Sequence, residues 1–188
     1  VLRGAWMREE GKLPGSLLKN NGDGTFEDVT EAAGLLSFHP TQTGRWLDFD
    51  GDGWLDLFIG NETMPQGRPH PCELFHNNHD GTFTEMAAQC GLRVRAYVKG
   101  VGCADYNNDG RPDLYLSILG QPNMLFRNDG PREDGKGWKF TEVGAAAGVQ
   151  LPQAPFPEMI ASHPRDFAIA AIASASSVCF CGLSAPWK

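Results

Sequence analysis

The sequence predicts an all-β chain: an incomplete β-propeller of four-stranded antiparallel blades, followed by a non-propeller C-terminal tail. Three observations predict it. Stretches of the chain recur at a fixed step of 57 residues, each full step holds four short apolar segments parted by turn residues, and two steps carry matching aspartate-rich loops. The step is read from Phe26, Phe83 and Phe140, from Gly34, Gly91 and Gly148, and from Asp48 and Asp105. Self-similarity at a constant period is the mark of a repeat architecture. Four short antiparallel strands are the content of one propeller blade, and a β-sandwich offers no reason for the constant step.

Taken in order, residues 1–35 are a partial blade, of which about 13–35 hold the outer hairpin around Asn20-Asn-Gly-Asp-Gly-Thr-Phe26. Residues 36–92 are a blade with strands expected at 44–49, 55–60, 72–77 and 82–86. Asp-Gly between alternating apolar residues, as in Asp80-Gly81, is a strong hairpin signal. Residues 93–149 are a second blade, with strands at 99–104, 113–119, 124–128 and 138–143. Six residues missing before Leu125-Phe126 return in the stretch 131–137, which keeps the last strand in phase. Leu55-Asp-Leu-Phe-Ile59 and Leu114-Tyr-Leu-Ser-Ile118 are mostly apolar on both faces, as suits a sheet covered on both sides. Stacked repeats bury one another's faces, and a closed ring takes roughly four to eight blades. The chain therefore reads as a fragment that lacks further blades of a larger parent. Residues 150–188 form a divergent tail in which Ala favours helix and the Ser cluster does not; a weak helix or disorder is expected there.

Charge removes whole classes of partner. The net charge of −7 speaks against nucleic acid and anionic lipid, both of which call for basic patches. The longest apolar run, 167–183, is interrupted by Ser174, Ser176 and Ser177 and sits at the lower limit for a bilayer span, so no membrane insertion is expected. Five cysteines are too few and too scattered for a disulfide scaffold, and the disulfide state of Cys72, Cys90 and Cys103 stays open.

The chemistry lies in two loops between the first and second strands of their blades. Asp48-Phe-Asp50-Gly-Asp52-Gly-Trp54-Leu-Asp56 and Asp105-Tyr-Asn107-Asn-Asp109-Gly-Arg111-Pro-Asp113 place side-chain oxygens at positions 1, 3, 5 and 9. A hard cation such as Ca²⁺ takes six to eight oxygens and tolerates the irregular angles of a tight loop. Gly53 and Gly110 at position 6 allow the sharp turn. Trp54 and Arg111 at position 7 would contribute backbone carbonyls, so their side chains are free to differ. An EF-hand would need its bidentate Glu at position 12, where Ile59 and Leu116 stand. Two structural Ca²⁺ sites are therefore expected, the second weaker because Asn107 makes it one charge poorer. Seven ligand-position Asp equal the whole net charge, and two bound Ca²⁺ would bring it to −3. Asp23, Asp80 and Asp129 are read as hairpin-turn residues. The spacings of His70, His76 and His79 define no Zn or Cu face, Glu62 and Glu73 no acid–base pair, and no nucleophile motif is present.

These loops, with Leu17-Leu-Lys-Asn-Asn-Gly-Asp-Gly-Thr-Phe-Glu-Asp-Val-Thr-Glu-Ala-Ala-Gly-Leu35, resemble the FG-GAP/VCBS repeat family of integrin-α-like propellers. They are most similar to its bacterial cartilage-acidic-protein-like, ASPIC/UnbV-associated members. The resemblance spans about residues 1–157 and implies a calcium-binding, non-catalytic recognition or adhesion scaffold. The place implied is extracellular, on the cell surface or periplasmic, and the ligand a protein or a carbohydrate. The Phe-Gly and Gly-Ala-Pro signatures are not evident, so integrin-type ligand recognition is not implied. The alternative is part of a propeller polysaccharide lyase or hydrolase whose site lies in the missing blades. Past Pro157 the family would continue with another aspartate loop, and its absence here is read as truncation or a frame error.

Overall fold

The computed structural model describes residues 14–64, 66–135 and 137–150. Almost all of the expected tail and the first part of the partial blade lie outside these residues. What is described is nearly all-β. β1 (Leu18–Asn20) and β2 (Phe26–Asp28) form a two-stranded sheet. β3 (Thr41–Leu47), β4 (Asp56–Asn61), β5 (Glu73–Asn77) and β6 (Phe83–Glu85) form a four-stranded sheet in chain order. The one-turn helix α1 (Ala87–Cys90) leads to β7 (Val98–Ala104), β8 (Asp113–Ile118), β9 (Met124–Pro131) and β10 (Trp138–Glu142), again a meander in chain order. All pairings are antiparallel. Two complete meanders and the outer hairpin of a third are an incomplete propeller.

The sheets stack because their strands are apolar on both faces. Phe58 and Leu74 are buried against Val98, Leu114 and Leu116 of the next sheet. Ile59 and Phe75 turn the other way and pack on Ala33 and Leu35, which follow the first hairpin. Complete burial of a side chain such as Phe58 contributes about 2–3 kcal/mol, so each sheet depends on its neighbour. The bulge at the start of β3, between Thr41 and Thr43, recurs at the start of β7, between Val98 and Gly100. The 57-residue step thus preserves even the irregularities.

Three elements differ from the sequence reading, the first being β3, which covers Thr41–Leu47 where the sequence predicts 44–49. β9 runs on to Pro131 instead of stopping at Asn128, and the residues inserted beyond it are absorbed partly as strand, with a bulge between Lys139 and Phe140. Asp129 therefore lies inside β9 instead of at a turn. The unforeseen α1 is too short to display a helical period. It ends on Gly91 in the left-handed region (φ 79°), with the Ala87 N–H held by Glu85 Oε1 at 2.8 Å. Gly34 and Gly148 end equivalent turns at φ 74° and 69°. A Cβ at Gly34 would lie 3.1 Å from the Phe83 carbonyl oxygen, and one at Gly91 would lie 3.0 Å from that of Phe140. The recurring glycine thus serves both the left-handed backbone and the close approach of the next sheet's last strand.

Cys72 and Cys90 are free and buried. Burial pushes each thiol up to about 11, which keeps both protonated as core fillers. Cys103 is half-buried in β7. Among the described residues no helix is long and apolar enough to cross a membrane.

Candidate metal centre

Both aspartate loops are built on one frame. Position 9 opens the second strand of its sheet, and there Asp56 and Asp113 are each only 1% exposed. Each carboxylate spans its loop and the neighbouring strand. Asp56 Oδ2 accepts the Phe49 N–H (3.1 Å) and Oδ1 the Asn77 N–H (2.9 Å); Asp113 Oδ2 accepts Tyr106 N–H (3.0 Å) and Oδ1 Asn128 N–H (2.7 Å). The side-chain amides of Asn77 and Asn128 donate to the carbonyls of Leu55 and Pro112. Asn128 also reaches the aspartate loop of the preceding sheet, donating to the Phe49 carbonyl at 2.8 Å.

Position 1 organises the turn. Asp48 accepts the N–H groups of Gly51, Asp52 and Gly53, and Asp105 those of Asp109 and Gly110. Position 6 is left-handed, which the glycine there permits without steric cost, with φ 89° at Gly53 and 85° at Gly110. Position 4 is left-handed as well (Gly51 φ 74°, Asn108 φ 58°). Sequence reasoning missed that requirement, although Gly and Asn are the residues that meet it at least cost. Alternate side chains then converge, and Asp48, Asp50 and Asp52 each bring an oxygen within 4.8 Å of the others.

The first loop also receives two histidines from the β5–β6 hairpin. His76 Nδ1 lies 3.2 Å from Asp56 Oδ1 and 3.4 Å from Asp50 Oδ2. His79 Nε2 lies 2.5 Å from Asp52 Oδ2, its ring stacked on exposed Trp54 at 5.0 Å. His79 holds φ 66° where the preceding repeat has Gly22, a strained conformation for a side-chain-bearing residue. His70 instead faces His39, Nδ1 to Nδ1 at 3.0 Å. Linear spacing hid the His76 and His79 contacts because they cross from one hairpin to another. Burial pushes the Asp56 carboxyl up to about 6 in spite of its two N–H donors. Burial and the charge of Asp52 push Asp50 up, although His76 opposes this. Charge is thus held here at a cost that a cation would remove.

The second loop balances its charge from within. Asn107 Nδ2 donates to Asp109 Oδ2 at 2.8 Å, and Arg111 Nη2 reaches the same oxygen at 2.6 Å. The Asn107 bond, then backbone and guanidinium, hold Asp109 below the usual carboxylate range. Arg111 also donates from Nε to the Asn128 carbonyl at 2.9 Å. At position 7 the Trp54 and Arg111 side chains therefore find separate partners. Asp113, pushed up by burial, keeps its frame role. Among the described residues, the two groups of three His, Cys, Asp or Glu donors close enough to hold a metal ion both involve the first loop: Asp48 with Asp50 and Asp52, and Asp50 with Asp56 and His76. Their hard oxygens suit a divalent cation.

Outside the loops, Asp23 and Asp80 are hairpin-turn residues, each accepting the N–H and hydroxyl of a Thr two residues on. Asp129 is instead neutralised by Arg127 and Lys139.

Comparison with known proteins agrees with this architecture. A family model described as FG-GAP-like repeat matches residues 9–59 and 48–116, which together exceed half of the chain. Cartilage acidic protein 1 of Homo sapiens is 36% identical over 72 residues, covering 38% of this chain and 10% of that protein. The proteins of the same name from Xenopus tropicalis and Mus musculus are 36% and 35% identical over the same length. The matched stretch thus spans about a tenth of the length of these relatives.

Proposed function

Because this chain belongs to the FG-GAP-like repeat family, we propose that it is a calcium-stabilised, non-catalytic propeller segment serving recognition or adhesion outside the cytoplasm. The observation that carries the reading is the recurring loop frame: an oxygen-lined turn closed by a buried aspartate, in two stacked sheets. Asp48, Asp50, Asp52 and Asp56, with the Trp54 carbonyl, would hold one Ca²⁺. Asp105, Asn107, Asp109 and Asp113, with the Arg111 carbonyl, would hold a second. The ion supplies charge neutralisation at each loop. The chain's own part is to hold position 9 in place with two backbone N–H groups and to converge positions 1, 3 and 5 on one point. Sites of modest affinity fill where Ca²⁺ is near millimolar, which favours an extracellular or periplasmic location. The blades occupy residues 36–92 and 93–149, and the parent's remaining blades complete the surface that meets a protein or carbohydrate.

Binding to the folded form alone stabilises by mass action, about 2.7 kcal/mol at a hundredfold excess over Kd. Chelation is expected to lower the melting temperature, and Asp50→Ala combined with Asn107→Ala to abolish that sensitivity. Unchanged melting of the parent chain in excess chelator refutes the calcium reading. Recognition is tested by glycan and protein arrays probed with the complete gene product, with Ca²⁺ or chelator present. Retention that requires Ca²⁺ supports the scaffold role, and no retention on either array overturns it.

A further inference from the structure

We propose that the 48–56 loop is a mixed nitrogen–oxygen site, in which His76 lets it take a borderline divalent cation of the Zn²⁺ class in competition with Ca²⁺. The proposal deepens the reading above and rests on it only in treating the loop as a cation site. Three donors carry it. His76 Nδ1 stands 3.2 Å from Asp56 Oδ1 and 3.4 Å from Asp50 Oδ2, with one atom of each residue within 4.8 Å of the other two. Tetrahedral zinc with bonds of about 2.0–2.1 Å needs donors separated by about 3.3 Å, and the two His76 spacings, 3.2 and 3.4 Å, match that separation. Asp48 and Asp52 bring further oxygens within 4.8 Å of Asp50.

The donors are held in place independently of any ion. Asp56 is fully buried and fixed by the Phe49 and Asn77 N–H groups, which leaves further lone pairs on its oxygens. The His76 ring meets Phe49 edge to face at 5.9 Å. Such outer contacts orient metal-binding imidazoles and carboxylates. Imidazole nitrogen suits zinc and similar ions, whereas Ca²⁺ prefers oxygen throughout. The sibling loop is the internal control. Counting from Leu74-Phe75 and Leu125-Phe126, the counterpart of His76 is Arg127, which turns to Asp129 and can ligate nothing.

The test titrates the complete chain with Zn²⁺ by calorimetry, with and without saturating Ca²⁺, and follows Co²⁺ as a spectroscopic substitute. Zn²⁺ is expected to displace Ca²⁺ from one loop only, and His76→Gln to weaken Zn²⁺ at least about tenfold while Ca²⁺ affinity moves less than about threefold. A His39→Gln control, which removes half of the other imidazole pair, should leave the tight Zn²⁺ site in place. Equal Zn²⁺ affinity in the parent and His76→Gln overturns the proposal, since His76 would then be only a hydrogen-bond partner of Asp56. If His76→Gln fails to fold, the Co²⁺ spectrum of the parent decides. Intense visible bands of a nitrogen-bearing tetrahedral site uphold the proposal, and the weak bands of a six-coordinate oxygen site overturn it. Ca²⁺ binding at neither loop alongside His76-dependent Zn²⁺ would remove the calcium reading and leave this one. Ca²⁺ binding with His76-independent Zn²⁺ would do the reverse.

Discussion

The 48–56 and 105–113 loops share a backbone path and a closing aspartate yet settle their charge in opposite ways. The first gathers four carboxylates, sets one in full burial, and adds two imidazoles to the backbone N–H groups that meet them. The second replaces one carboxylate with Asn107 and lays the Arg111 guanidinium on Asp109 at 2.6 Å. The frame is therefore separable from the demand for a cation. Backbone N–H groups and the position-9 aspartate make the turn, while positions 3, 5 and 7 decide how much positive charge it still lacks. The internal ion pair adds a second reason, besides the missing carboxylate, to rank the later loop as the weaker site.

The comparison breaks first at what the loops share. Asp56→Ala and Asp113→Ala each leave two buried backbone N–H groups without an acceptor, at roughly 1–3 kcal/mol per group. Urea unfolding in chelator should show losses of about 3 kcal/mol or more, alike at both loops; a large inequality would mean that the frames are not equivalent. Next comes pH. With Asp56 held near 6 when folded against 3.8 when unfolded, it is protonated in both states at low pH. Between about 4 and 6 the folded form keeps a proton that the unfolded form loses, so stability falls as pH rises. The fall is about 3 kcal/mol in chelator, and saturating Ca²⁺ should flatten it in thermal melts. Asp113 is also pushed up by burial and adds in the same direction. Arg111→Ala sharpens the contrast from the other side, because removing the guanidinium should raise Ca²⁺ affinity at the 105–113 loop several-fold by calorimetry. The smallest effect belongs to His79→Gly. It relieves a left-handed backbone but forfeits the Asp52 and Trp54 contacts, so its melt should move by less than about 1 kcal/mol.

The sequence carried the repeat and the strand order because these are local or periodic properties. The step from Phe26 to Phe83 to Phe140 locates the closing strands to within a residue or two, since register follows from alternation and Asp-Gly turns. It could not carry the approach of His76 to Asp56, twenty residues away and across a strand pair, because the equivalent position in the next repeat is an arginine. Nor could it carry α1, whose single turn shows no period, or the extension of β9, where Asp129 resembles a turn residue until Arg127 and Lys139 are seen beside it. Asp23 and Asp80 were legible because an Asp-Gly step marks a turn, and the structure adds a Thr partner two residues on.

Asn128 has a consequence beyond its own strand. Its main-chain N–H ends on the carboxylate that closes the later loop, and its side chain ends on the carbonyl of Phe49, inside the earlier one. A residue with no exposure thus joins the two closing aspartates by three hydrogen bonds, Asp113 to Asn128, Asn128 to Phe49, and the Phe49 N–H to Asp56. Were a cation to fill one loop, the stiffening would reach a seat belonging to the other, and thermodynamic reciprocity would make the help equal in both directions.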